Sequence, residues 1–594
     1  MSILTQLSPG VVVNEVDLTT IVPGVSASRG AYVGQFNWGP VLEPRIMDTE
    51  STLLATFGKP NDTAQNSFVG TSFFTCANFL SYSATMFVVR VVSSGARNAA
   101  ANANASIVIN NEIAFANTYL DANNQNLYGS FVSRYPGELG NSISISVCSD
   151  STKFAQANGL NIWNYAGYFD NAPGTSDYAS RLGSANDEMH IIVLDRRGLF
   201  TGTANTVLEK FPFVSKASDA IGVDGQSSYY KQVIARNSQY IYAMDPVDYS
   251  NTVSTWGTRA SATANFASAT NQNVSLSGGL DGTTPTAGNL QTGWDLFKNK
   301  DTYDISFMIT GASGDIGSNI QVPKYIIDNV VDGATASTPI QGRRDSIVFM
   351  SPRYSDVVNQ PGQESTNIVT SFLASLDKSS SYAVLDSGWK YQYDKYNNVY
   401  RWIPLNADIA GLCAIVDVIQ DPWWSPAGFT RGKIKNVTKL AWNPNQGERD
   451  FIYQRGVNPV VSFTGEGPVL FGDKTLQAKP SAFDRINVRR LFIVLEKAIS
   501  KAAQYSLFEF NDQFTRAQFV ATVEPYLRTI KGRRGIYDYK VICDETNNTP
   551  DIIDRNAFVG DIFVKPTRSI NFIQLNFVAV RTGVDFKTIT GTGA

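Results

Sequence analysis

The sequence carries 1 histidine and 4 cysteines among 594 residues. Histidine is the usual proton shuttle near neutral pH and the commonest metal ligand, so histidine-rich metal sites and paired-histidine chemistry are excluded. Any catalytic triad would have to pass through His190. The cysteines, Cys76, Cys148, Cys413 and Cys543, lie far apart with no CxxC pair, a spacing that encodes neither a zinc knuckle nor a dense disulfide framework and predicts buried thiols. Charge is scarce and balanced: charged residues are 17%, and 49 Lys+Arg face 52 Asp+Glu for a net charge of -3. That balance gives no global drive toward nucleic acid or an anionic membrane. No apolar run approaches the ~20 residues that span a bilayer. The opening MSILTQLSPGVVV lacks the basic stretch, long apolar core and cleavage site of a secretory signal, so the expectation is a soluble chain made in a cytoplasm.

What the sequence has is apolar bulk. Hydrophobic residues are 43% of the chain, enough for large cores, and at roughly 150 residues per domain the length predicts about four domains. Val11, Val12, Val13 and Val16 form a short apolar strand between turn signals, apart from any obvious core. A helix-like stretch around Phe73 to Leu80 precedes Met86 to Val92, a buried-strand signal rich in β-branched residues. Asn98 to Ser106, NAAANANAS, is low in complexity and reads as an insertion or surface loop, as does the polar tract Thr258 to Asn273. From about Asp301 to Asp417 strands and helices alternate: strands at Ile305–Ile309, Ile347–Met350 and Tyr382–Leu385, helices at Tyr325–Val331 and Ile368–Leu376. That alternation predicts an α/β layer with at least partly parallel strands. Beyond Asp484, Val488, Leu491, Phe492, Leu495, Ile499 and Ala502 define a long amphipathic helix, and Phe519, Val523, Tyr526 and Leu527 a second. Strands return at Ile536–Cys543, Asp561–Val564 and Ile570–Val580, the last alternating Ile573, Leu575, Phe577 and Ala579 with Gln574, Asn576 and Val578.

Little of this points to chemistry. Gly311, Gly314 and Gly317 follow a strand and precede a helix, but the spacing is not GxGxxG and no Lys-Ser/Thr follows, so an ordinary turn is the favoured reading. His190 opens an apolar strand and reads as a structural histidine despite Asp195 nearby. Asp301, Asp304, Asp544 and Glu545 are carboxylates of the kind that pair by chance in a long chain. Arg485, Arg489 and Arg490 cluster at a helix opening, and Lys531, Arg533 and Arg534 form a second basic group. Solvated surface is the default for both and a protein-facing patch the alternative.

Several strings taken in order resemble one family, the contractile tail sheath proteins of bacteriophages with myovirus tails. They are LSPGVVVNEVDL from Leu7, Phe36-Asn37-Trp38-Gly39-Pro40, Thr56-Phe57-Gly58-Lys59-Pro60, Tyr135-Pro136-Gly137-Glu138-Leu139-Gly140 and Leu276-Ser277-Gly278-Gly279-Leu280. YQYDKYNNVYRWIPLNADIAGLCA from Tyr391, Ser425-Pro426-Ala427-Gly428, FDRINVRRLF from Phe483 and CDETNNTPDIIDRN from Cys543 follow. Each is weak alone, and their shared order over nearly the whole chain is specific. Larger members carry an outward-facing domain before the YPGELG element; here about forty residues fill that interval, so the outer domain is reduced or absent.

The resemblance implies an α/β and α+β multidomain fold: a central subtilisin-like α/β domain without catalytic residues, a β-rich outer part, and a C-terminal α+β domain with terminal strands exchanged between subunits. The expected division is an N-terminal linking arm at 1–23, a β-rich outer domain at 24–280 with a reduced insertion at 98–134, a central α/β domain at 281–445, and an inner polymerisation domain at 446–594 with a linking strand at 569–582. The implied partners are copies of the chain in six-subunit rings stacked helically, the tail tube protein, and baseplate and tail terminator proteins, with no direct nucleic acid and no membrane insertion. The expected location is the phage tail of the virion, after assembly in the host cytoplasm. No catalytic, cofactor or metal residues are expected. Val11, Val12, Val13, Val16, Ile573, Leu575, Phe577 and Ala579 are the expected subunit-linking strands. Arg485, Arg489 and Arg490, within a helix running to Tyr505, are expected to face an acidic tube. The alternatives are a tail tube or shell protein, which the α/β pattern disfavours, and a virion hydrolase of subtilisin-like or polysaccharide-degrading type.

Overall fold

A computed structural model describes residues 28–571 and Gln574, apart from 61, 63, 66, 83, 103, 105, 121–126, 155–162, 248–254, 270–272, 313–319 and 334–341. The expected arm at 1–23 with Val11, Val12, Val13 and Val16, and the linking residues Ile573, Leu575, Phe577 and Ala579, lie outside the described residues. The chain divides into two compact units, Met1–Leu507 and Phe508–Ala594.

The first unit is built on a seven-stranded sheet. In spatial order its strands are Val457–Asn458, Ala383–Asp386, Ile347–Met350, Phe307–Ile309, Arg29–Gly34, Thr85–Arg90 and Arg45–Met47. All pairs are parallel except the last, Arg45–Met47 on Thr85–Arg90. A parallel sheet needs both faces covered, which is why these strands are continuous apolar runs and not alternating ones. Side chains still divide by parity. Tyr32, Val88, Ile309, Phe349 and Val384 join a core with helices Phe68–Leu80, Asn406–Ile419 and Ile486–Ala503. Val33, Val89, Met308, Val348 and Leu385 join another with helix Ala287–Asp295, the helical stretches Gln321–Asp332 and Glu364–Leu376, and Trp294. The expected α/β layer with parallel strands at 347–350 and 382–385 is therefore present.

The expected domain cuts are not. Three strands of the central sheet come from residues before Val91, so the boundary at 280 separates strands that hydrogen-bond to one another. The β-rich part is instead a lobe inserted between the third strand and the fourth. Its entry and exit pair directly, Arg97 N to Leu280 O at 2.9 Å and the reverse at 3.1 Å. It holds a four-stranded antiparallel sheet in the order Thr206–Ser215, Glu188–Asp195, Ile143–Cys148, Asn273–Ser275. The cut at 445 fails for the same reason, because Val457–Asn458 extends the central sheet and helix Ile486–Ala503 buries Ile486 and Ile493 in its core.

NAAANANAS is also not simply a loop. Asn98, Ala99 and Ala100 are fully buried, with Asn98 Nδ2 donating to Ser133 O and Asn98 Oδ1 accepting from Ile109 N. Small side chains that look like low complexity are what lets two backbones approach, and a Cβ on Gly279 would sit 3.0 Å from that of Ala99. The Thr258–Asn273 tract is likewise partly interior, with Phe266 and Ala269 buried.

In the second unit, helix Gln513–Gly532 buries Phe519, Val523, Leu527 and Ile530. It packs on an antiparallel hairpin of Ile536–Ile542 and Asp561–Pro566. The described residues Ile570 and Asn571, where the expected last strand begins, carry no strand.

Candidate functional site

In an open α/β sheet ligands bind beyond the carboxyl ends of the parallel strands. Here protein fills that place. Asp386, ending its strand, accepts from Ser351 Oγ at 2.7 Å and from Gly388 N at 2.9 Å, and Ser351 Oγ accepts from Asn406 N at 3.0 Å. Asn406 Nδ2 donates to Gly311 O at 2.9 Å. All four groups are buried or enclosed, and burial holds the Asp386 carboxyl well above the usual carboxylate range. Gly311 has φ +57 and its missing Cβ would lie 2.7 Å from the Tyr32 ring, so this glycine serves close packing. Gly314 and Gly317 lie outside the described residues.

His190 is a structural histidine in the lobe. Phe213 N donates to its Nδ1 at 3.0 Å, which fixes the hydrogen on Nε2, and that nitrogen donates to Asn171 O at 2.8 Å. Its ring stacks on Phe169 at 4.4 Å, and burial lowers its pKa below the ordinary value. Asp195 is occupied elsewhere, accepting from Ser142 Oγ and from the backbone N–H of Leu199, Phe200 and Thr201. Asp304 pairs with Lys497 at 2.9 Å, a lysine that also reaches Asp345 at 3.6 Å, and Asp544 accepts from Thr546 N at 2.8 Å. All four cysteines are free and buried.

The signature strings prove to be joints. Arg90, at the end of its strand and 1% exposed, sends Nε to Phe36 O, Nη1 to Gly39 O and Nη2 to Pro136 O, at 2.8, 2.8 and 2.7 Å. Burial pulls its guanidinium down to about 10, still protonated at neutral pH. Trp38 N donates to Phe57 O, and Asn37 Nδ2 to Lys59 O. The Trp38 ring meets Tyr135, Phe200 and Tyr240. Gly137 has φ +144, and a Cβ there would stand 2.8 Å from Asp281 Oδ1 and 2.9 Å from Asn37 O. The FNWGP, TFGKP, YPGELG and LSGGL strings thus converge where the lobe meets the central sheet. Arg90 was missed by sequence reading; its one signal was a cation closing an otherwise apolar strand.

The string beginning at Tyr391 makes two more ties. Arg401, fully buried, bonds Asp394 at 2.7 Å, Asp62 at 2.8 Å and Ala64 O at 2.6 Å. Lys390 and Asp408, both without solvent exposure, pair at 2.9 Å, and Tyr82 OH donates to the same Asp408 oxygen. Burial lowers the Lys390 pKa and raises that of Asp408.

Of the arginines expected to face a tube, Arg489 and Arg490 are buried within the subunit and Arg485 is partly exposed. Arg490 is 3% exposed, holds both Asp417 oxygens through Nη2 (2.6 Å to Oδ2), and donates to Cys413 O. Arg489 is clamped between the rings of Phe483 and Tyr382, at 3.9 and 4.2 Å, and donates to Ser381 Oγ. Arg485 pairs with Asp473 at 2.8 Å. A charge-assisted contact enclosed in the core holds more firmly than a surface one, so the Arg490 charge acts within the subunit. In the second unit Lys531 pairs with exposed Asp538, in keeping with a solvated helix end. Asn548 and Val559 exchange reciprocal bonds at 2.8 and 2.9 Å across the CDETNNTPDIIDRN string. Among the described residues the Ile536–Ile542 and Asp561–Pro566 hairpin has no third strand on either edge, and Tyr537 and Phe563 are exposed on it.

These features define a structural class of protein: an α/β subunit whose motif residues brace its own interior, with a two-stranded ribbon that among the described residues has no third strand. The chain belongs to the phage tail sheath proteins. It is 33% identical to the tail sheath protein of Enterobacteria phage T4 and 32% identical to that of Vibrio phage KVP40, in each case over 99% of this chain and 100% of the other. The phage tail sheath protein central domain matches residues 341–476 and the phage tail sheath C-terminal domain residues 478–579. The crystal structure of a sheath tail protein from Listeria innocua, 11% identical, shares the fold with a TM-score of 0.52 over 93% of this chain and 94% of that one. The chain is a structural protein of a contractile bacteriophage tail.

Proposed function

We propose that this chain polymerises as six-subunit rings around a tail tube, between baseplate and terminator, and that the polymer shortens to drive the tube through the host envelope. The observation that supports this most is the hairpin of Ile536–Ile542 and Asp561–Pro566, which among the described residues has no third strand on either edge. Unpaired strand edges accept further strands through main-chain hydrogen bonds, and these survive rigid-body rotation when the flanking linkers bend. The sequence supplies two candidate strands, Val11–Val16 and Ile573–Ala579, flanked by Pro9-Gly10, Pro23-Gly24 and Thr582-Gly583. In this reading neighbours' strands complete the ribbon. The central domain is a subtilisin-like layer whose strand ends are closed by Asp386, Ser351 and Asn406, and shortening uses energy stored at assembly, without turnover.

Deleting residues 1–20, or everything after Arg568, is expected to leave a folded, soluble, largely monomeric protein, while the full chain forms hollow polymers in electron micrographs. Truncated protein that still builds full-length sheaths on tubes overturns the coupling role. ATP-dependent shortening of isolated tails, or proteolysis abolished by His190→Ala, overturns the passive mechanism.

A further inference from the structure

Helix Asn406–Ile419 is buried along most of its length, yet it ends on two aliphatic side chains left in solvent, Val418 and Ile419, each 65% exposed. Its direction shows what lies beside them. At its start Asn406 bonds Gly311 O, just beyond the carboxyl end of strand Phe307–Ile309, so the helix runs back toward the beginnings of the parallel strands. At its far end Asp417 is held by Arg490, whose guanidinium also lies 5.1 Å from the ring of Phe307, the first residue of that strand. Phe307 is in register with Gly30, and Ser306 N donates to Arg29 O. The chain preceding Arg29 therefore leaves the sheet at the end of the helix that carries Val418 and Ile419. Ser28 hydrogen-bonds through its side chain to Asp417.

We propose that Val418 and Ile419 form a docking ledge for residues 21–27 of the same chain. That segment reads Ile-Val-Pro-Gly-Val-Ser-Ala, with three aliphatic side chains and a proline but no charge. Extended chain covers ~3.3 Å per residue, so these seven residues easily reach from Asp417 to the ledge, which lies only one and two residues further along the helix at ~1.5 Å each. The ledge fixes where the linking arm starts, so that Pro23-Gly24 is held as a turn and the bend on the subunit's side of Val11–Val16 falls on residues 17–20. It holds whether or not the exchanged-strand reading above is correct, since it needs only one chain.

The test uses full-length protein with p-benzoylphenylalanine in place of Ile419. Residues 1–28 contain no Lys or Arg, so trypsin releases the whole segment as one peptide ending at Arg29. Irradiation of a mixture of light and 15N-labelled chains is expected to join that peptide to position 419 in equal-isotope pairs only. Mixed-isotope pairs, which mean a neighbour's segment, overturn the proposal, as do products at other peptides or none at 1–29. In Val418→Ser/Ile419→Ser, whose changes fall on exposed positions, deuterium uptake across 21–27 is expected to rise about tenfold as the local opening is eased. Unchanged uptake there, with the remaining peptides as in the parent, also overturns it.

Discussion

At the residue scale the interior ion pairs carry the sharpest expectations. Arg490→Ala leaves Asp417 enclosed without its cation, and removals of this kind cost about 3–5 kcal/mol, so the urea midpoint of the first unit is expected to fall steeply. Arg490→Met combined with Asp417→Leu takes away both charges and is expected to recover most of that loss, which a double-mutant comparison reads directly. His190 sets a pH dependence. Its folded pKa is lowered by burial, below the ordinary ~6.5. Between those two values the unfolded chain binds a proton that the folded chain refuses, so this contribution is fully present above about pH 6.5 and is lost as the pH falls through that window. The extra proton belongs on Nδ1, where it breaks the bond from Phe213 N. His190→Gln is expected to be less stable than the parent near neutrality, and the gap is expected to narrow in acid when urea unfolding is compared at several pH values.

At the scale of elements, Pro525 lies inside helix Gln513–Gly532, where it removes one backbone donor and crowds the carbonyl four residues earlier. Pro525→Ala is expected to raise the melting temperature of the second unit, with an upper bound of about 3 kcal/mol, in calorimetry of the full chain. Elements were legible where local sequence decides them. Ile347–Met350 is an uninterrupted apolar run, and helix Ile486–Ala503 shows its periodicity plainly. What that helix meets was not legible. Arg489 and Arg490 read as a polar face because the partner of Arg490, Asp417, lies 73 residues away and only the fold brings it opposite. The domain cuts failed for a related reason. A break in composition at NAAANANAS marks where a lobe is inserted, and nothing local shows that strands on either side of the lobe share one sheet. The motif strings pointed to the right family through their order, while their physical role as joints emerged only from Arg90 and Trp38.

For the whole molecule, the division at Leu507 and Phe508 predicts two calorimetric transitions, and a single cooperative peak at all scan rates would count against it. A point substitution in the smaller unit, such as Pro525→Ala, is then expected to move one peak and leave the other in place. The joint at Arg90 has a further consequence, best put in mechanical terms. One guanidinium, anchored on the sheet's side by Phe36 O and Gly39 O, reaches Pro136 O in the lobe, and the Trp38 ring packs on Tyr135, Phe200 and Tyr240 beside it, so a twist of the lobe against the sheet loads that bond and the aromatic packing together. A joint loaded in that way is stiff to torque and fails late. A rotation of the sheet is then passed to the lobe through this joint, and a point on the lobe travels in proportion to its distance from the axis.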